Sequence, residues 1–168
     1  GREICPLGVA GALSIGLLYA ARGFGAGIGL IVARELGGDG QQFLRRAIGP
    51  SFFFTTVGYV VVAAAPNLPV ALLGVLIAHI GGSNQWVFST ALLQLNVPNR
   101  LQGRVFAVEG ALLTLTTAAS SYLAGLASDA GWPPRTLALV LAATFVPTGL
   151  LLMGLLWRAP ARQAGAVD

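Results

Sequence analysis

Lysine is absent from this chain, and charge of any kind is scarce: Asp, Glu, Lys and Arg together make up 10% of the residues. A soluble domain carries about a quarter charged residues to cover its surface. A water-exposed globule is therefore excluded, because too few polar groups exist to wet 168 residues. The single cysteine, Cys5, excludes an intramolecular disulfide and any multi-cysteine metal cluster. With one histidine as well, no metal site and no cofactor are expected. The chain also lacks a Gly-rich phosphate loop with lysine, a carboxylate pair, and any Ser/His/Asp set with plausible proximity, so no enzyme is expected. It opens Gly1-Arg2-Glu3 without Met and without a signal-peptide layout, which reads as a piece of a longer protein.

The charge that is present is mostly arginine. Net charge is +4. The arginines stand singly or in pairs between apolar runs, never as a patch with interleaved aromatics, so nucleic acid is not an expected partner. Hydrophobic residues make up 55% of the chain, enough to place it in lipid. Crossing ~30 Å of hydrocarbon takes about 20 helical residues. Five stretches qualify: Leu7–Ala33, Ile48–Ala65, Leu68–Leu95, Val105–Ser128 and Thr136–Trp157. The fold class is thus an all-α integral membrane protein of about five transmembrane helices, and residues 1–168 form a single transmembrane domain. The separators are turn-like: a Gly-rich charged stretch from Arg34 to Ala47, Pro66-Asn67-Leu68-Pro69, Asn96 to Arg104, and Asp129 to Arg135.

Alternating spans place Arg34, Arg45, Arg46, Arg100, Arg104, Arg158 and Arg162 on one side, and Arg2 and Arg135 on the other. The positive-inside rule puts the first set in the cytoplasm, with the N-terminus outside and the C-terminus inside. The absence of Lys beside heavy use of Ala, Gly and Arg points to a bacterial plasma membrane. Trp132 and Trp157 sit near span ends, where indoles favour the interface.

Helices in lipid associate through close backbone approach and polar pairs. The first span carries two interleaved GxxxG registers, Gly23/Gly27 and Gly25/Gly29. The fourth carries Gly110, Thr114, Thr117, Ser121, Gly125 and Ser128 on one face, which suits a helix seam. The second span, opening on Phe52-Phe53-Phe54, and the almost uniformly apolar fifth span are expected to face lipid, with a kink at Pro147.

Three ionisable residues fall inside spans: Arg22, His79 and Glu109. Such groups cost about 2.5–3.5 kcal/mol or more at the bilayer centre and mark partners or water-filled cavities. His79, Ser83, Trp86 and Thr90 follow i, i+4, i+7, i+11, one helical face suited to a cavity wall for a small amphipathic solute. The alternative is a histidine satisfied by a neighbouring helix. Gly81-Gly82 is expected to loosen the helix there. Arg22 and Glu109 differ in depth by roughly 10 Å, so they pair only if Arg22 reaches along the bundle. Glu109 near Arg104 at the interface is the simpler arrangement.

The run Trp86-Val87-Phe88-Ser89-Thr90-Ala91-Leu92-Leu93-Gln94, followed by Val97-Pro98-Asn99-Arg100-Leu101-Gln102-Gly103-Arg104-Val105, resembles the tenth helix and following R-x-x-x-G-R loop of a major facilitator superfamily transporter, in its bacterial drug- and siderophore-exporter branch. The first span, with Gly16-Leu17-Leu18 and its glycine run, is similar to that family's eighth helix. The resemblance implies a partial bundle of helices eight to twelve, missing the N-terminal helices of the same protein. It also implies efflux of a small-molecule substrate by alternating access, often driven by protons, with the tenth helix lining the cavity. Arg100, Gly103 and Arg104 would hold the cytoplasmic loop against neighbouring helix ends. One departure stands out: Arg34–Arg46 lacks the family's G-x-x-x-D-R-x-G-R-R loop and keeps only Arg34, Asp39, Arg45 and Arg46. A non-transporting assembly subunit of a membrane complex is the rival expectation.

Overall fold

A computed structural model describes residues 11–37 and 40–158. Cys5, Arg2, Asp39, Arg162 and the start of the first span lie outside them. Five helices make up the fold: α1 (Ala12–Gly37), α2 (Gln41–Ala64), α3 (Leu68–Asn96), α4 (Asn99–Asp129) and α5 (Pro134–Arg158). All five are long and apolar enough to cross a membrane, which makes this an all-α, multi-pass membrane architecture.

The helices outrun the expected spans at the arginine-rich end. Arg34 lies in α1, Arg45 and Arg46 lie in the first turns of α2, and Arg100 to Arg104 open α4. Charged residues that read as turns on a hydropathy argument are here helix ends projecting past the apolar layer. At the other end the connections are tight. Asn67 caps α3 by accepting from Val70 N at 3.2 Å, with Pro69 in the first turn, where its missing N–H costs nothing. α4 stops in a Schellman motif: Trp132 N bonds Ala127 O at 3.0 Å and Gly131 N bonds Ser128 O at 2.9 Å. Gly131 supplies the left-handed φ of 82° that this motif requires.

α3 is flanked by α1 and α2, and α5 lies on the far side of α2. The seams are built from glycine. A methyl on Gly58 would strike the Ala78 backbone, one on Gly74 would come 2.8 Å from Val62, and one on Gly81 would strike Ser51 O and Thr55. Gly25 and Gly29 bring α1 onto α3 at Leu76 and Ile80, whereas Gly23 and Gly27 face open space. One GxxxG register is a seam and the other is an outer surface. A methyl on Gly49 would strike Met153 and one on Gly149 would come 2.8 Å from Phe52, so these glycines let α2 close on α5. Aromatic rings fill the remaining gaps: Tyr59 stacks on Phe145 at 5.9 Å and Phe43 meets Phe88 edge-on at 5.8 Å.

Two expectations are overturned. The second span is not mainly a lipid-facing helix: α2 is central, burying Leu44, Ile48, Gly49, Ser51, Thr55, Gly58 and Ala63 and leaving only one side, with Phe54, Val57 and Val60, exposed. Small residues permit contact on two sides: Ser51, Thr55 and Gly58, at spacings of four and three, face α3, and Gly49 faces α5. The stripe on the fourth span, in turn, makes no seam among the described residues. α4 buries no residue, touches α5 only lightly, and leaves open space at Gly110 and Gly125.

Candidate functional site

The polar face expected on the third span is carried by α3 without interruption, since the helix runs straight through Gly81-Gly82. The two glycines do different work. Gly81 is buried in the α2 seam, while Gly82 lines an open cleft. Neither loosens the helix, because Gly81 is held by close contact with α2.

His79 is half-buried, and its Nδ1 lies 2.8 Å from the carbonyl of Val75 one turn back. A carbonyl can only accept, so Nδ1 carries the proton in that bond. In the neutral ring this leaves the Nε2 lone pair directed away from its own helix as an acceptor. Ser83 Oγ donates to Ile80 O at 3.1 Å and sits against Gly29, so it belongs to the α1 seam rather than to an open wall. Trp86 is 48% exposed. Thr90 Oγ1 is buried and has no hydrogen-bond partner among the described residues. Of the four residues expected to share a cavity wall, only Trp86 is exposed; His79 and Thr90 are half-buried and Ser83 packs against α1.

Beside Trp86 lies a cleft of about 240 Å³ between α2, α3 and α5, lined by Ile48, Phe52, Gly82, Gln85, Trp86, Ser89 and Leu152. Its polar edge contains two residues that the i, i+4, i+7 pattern passed over. Gln85 Nε2 donates to Thr55 Oγ1 at 2.8 Å, and the hydroxyl of Thr55, only 4% exposed, donates in turn to Ala78 O at 3.3 Å or Ser51 O at 3.2 Å. Ser89 Oγ donates to Trp86 O at 3.0 Å. A glutamine inside an apolar helix is itself a signal, since its amide must find a partner away from water. The cleft therefore joins an indole face, an amide and a hydroxyl to apolar walls, a mixture suited to an amphipathic solute.

The intramembrane charges are not brought together. Arg22 is exposed on α1 and Glu109 is half-buried on α4, and these helices share no extensive contact. Arg100, Gly103 and Arg104 are exposed in the first turns of α4. Gln102 holds this corner instead, with its Nε2 within 3.2 Å of Gln94 O, Val97 O and Asn99 Oδ1. At the same end Gln41 Nε2 donates to Asn96 Oδ1 at 2.9 Å, tying α2 to α3. No metal-binding group of His, Cys, Asp and Glu exists among the described residues. In comparisons with known proteins, no family model, no curated protein and no solved structure matches the chain.

Proposed function

We propose that this chain is part of a secondary transporter that exports amphipathic small molecules by alternating access, in the manner of the major facilitator superfamily. The observation that carries this reading is the open side of α3. There Trp86 lines a cleft together with Gln85 and Ser89, and His79 and Thr90 are half-buried on the adjoining face of the same helix, outside the lining. Isolated polar groups at such depth are costly and persist where they serve a partner or a solute. The arginine-rich helix ends would face the cytoplasm of a bacterial cell, with the C-terminal end of α5 inside. The solute would contact the indole of Trp86 and hydrogen-bond Nε2 of His79; protons are the proposed coupling ion, and no residue is assigned to carry them. On this reading the protein performs no covalent chemistry.

Efflux from cells carrying His79→Ala or Trp86→Ala in the intact transporter tests it. Reduced efflux at unaltered membrane levels supports the reading, and unaltered efflux in both variants removes it.

A second reading, a structural subunit of a membrane complex, draws on α4, whose small-residue stripe meets no other helix among the described residues. It predicts copurification with a fixed partner and no solute flux in proteoliposomes.

A further inference from the structure

A second, partly enclosed cleft of about 350 Å³ lies between α1 and α2, with α3 as its floor. Its walls include Ile28, Val32, Phe43, Phe54 and Phe88, and its floor carries Asn84. Asn84 and Trp86 point about 200° apart around α3, so this cleft is on the opposite side from the one just described. Nearly all of the lining is apolar. Two polar residues interrupt it: Ser51, whose hydroxyl donates to Ala47 O at 2.7 Å, and Asn84, whose Oδ1 is buried and accepts no hydrogen bond among the described residues. In hydrocarbon there is no bulk water to supply the missing donor, so the mismatch persists until a donor arrives from the membrane phase.

We propose that this cleft binds a lipid bearing a free hydroxyl, with an aliphatic chain against the phenylalanines and the hydroxyl donating to Asn84. The terminal torsion of asparagine is broad, so the amide turns toward the cleft without leaving its rotamer. An apolar slot with a few fixed polar groups is the usual form of a small-molecule site, and a volume of this order holds a single chain rather than a helix. The chemistry asks for a donor, which separates a hydroxyl lipid from a fully esterified one. The inference stands apart from the transport reading, since it needs only that the helices be surrounded by lipid.

The test uses the full chain in lipid nanodiscs with a photoactivatable diacylglycerol, compared with the same lipid methylated on its hydroxyl. The free-hydroxyl probe should label the segments containing Ile28, Val32 and Phe54 about five- to tenfold more strongly, the discrimination of one hydrogen bond. Asn84→Leu should reduce labelling by the free-hydroxyl probe to the level of the methylated one. Val32→Trp, at a position 47% exposed and able to fill the slot, should abolish labelling there by both. Equal labelling of the native chain by the two probes overturns the proposal without recourse to any variant. So does labelling no stronger than on the exposed Leu112 and Leu115 of α4, which is the signature of ordinary surrounding lipid. Crosslinks from the cleft to a second copy of the chain would overturn it as well.

Discussion

The indole N–H of Trp157 donates to the carbonyl of Arg46 at 3.2 Å. That carbonyl is the one left without an intrahelical donor by Pro50, four residues on, which has no N–H to offer. A tryptophan near the end of α5 thus supplies the bond that a proline removed from α2. At the opposite end Arg135 donates to the carbonyl of Ala65, the C-cap of α2, at 2.9 Å. Both fastenings run from α5 to backbone oxygens that helix geometry leaves open.

Trp157→Phe should therefore destabilise the chain by about 0.5–1.5 kcal/mol, the net value of one hydrogen bond. Pro50→Ala in the same chain should recover most of that loss, because alanine restores the N–H that Arg46 lacks. Denaturant titration in detergent, read as a double-mutant cycle, checks both. Additive effects of the two changes would show that indole and proline are not linked.

Adjacent glycines should respond oppositely. Gly81→Ala drives a methyl into Ser51 O and Thr55, whereas Gly82→Ala meets nothing within 4 Å. The first should cost about 1–3 kcal/mol, as overpacking does. The second should be neutral or slightly stabilising, since alanine is the better helix former. The same contrast holds between Gly25→Val and Gly23→Val. Thermal unfolding of the four variants checks this; similar midpoints within each pair would contradict the seam assignment.

Gln85 and Thr55 should be energetically coupled. Interhelical side-chain bonds in membranes average about 0.6 kcal/mol, so Gln85→Leu and Thr55→Val should be non-additive by roughly that amount. The cycle measured by unfolding decides it, and a coupling energy of zero would mean that the 2.8 Å contact contributes nothing.

On α4, Gly110→Leu and Gly125→Leu face open space and should alter the chain's own stability by less than about 0.5 kcal/mol. The measurement is the unfolding midpoint of the purified chain. A loss of several kcal/mol would place these glycines in a seam after all.

The all-α membrane class, the five helices and the turns around Asn67 and Gly131 were legible in the sequence because each rests on a local signal of length, hydropathy or turn chemistry. The arginine-bearing helix ends were not, because charge there reads as a loop. Nor was the partner of each helix. Gly23/Gly27 and Gly25/Gly29 are indistinguishable as text, and only the register of α1 on α3 decides which pair is buried. The phenylalanines of α2 concealed Ser51, Thr55 and Gly58, although their spacing is as regular as that of the α4 stripe. The polar face of α3 was visible at His79 and Trp86. Gln85 fell outside it because the pattern followed one face, while the amide turns toward α2.

The Gln85–Thr55 bond has a mechanical consequence. It fixes the middle of α3 on α2, Gln41 and Asn96 fix one end, and α5 is fastened to α2 at both its ends. Shifting α3 along its neighbour by a single helical turn, about 5.4 Å, would rupture the first two of these together. Ratcheting is thereby disfavoured, and α2, α3 and α5 should tilt as one plank, carrying His79 and Trp86 with them at constant spacing.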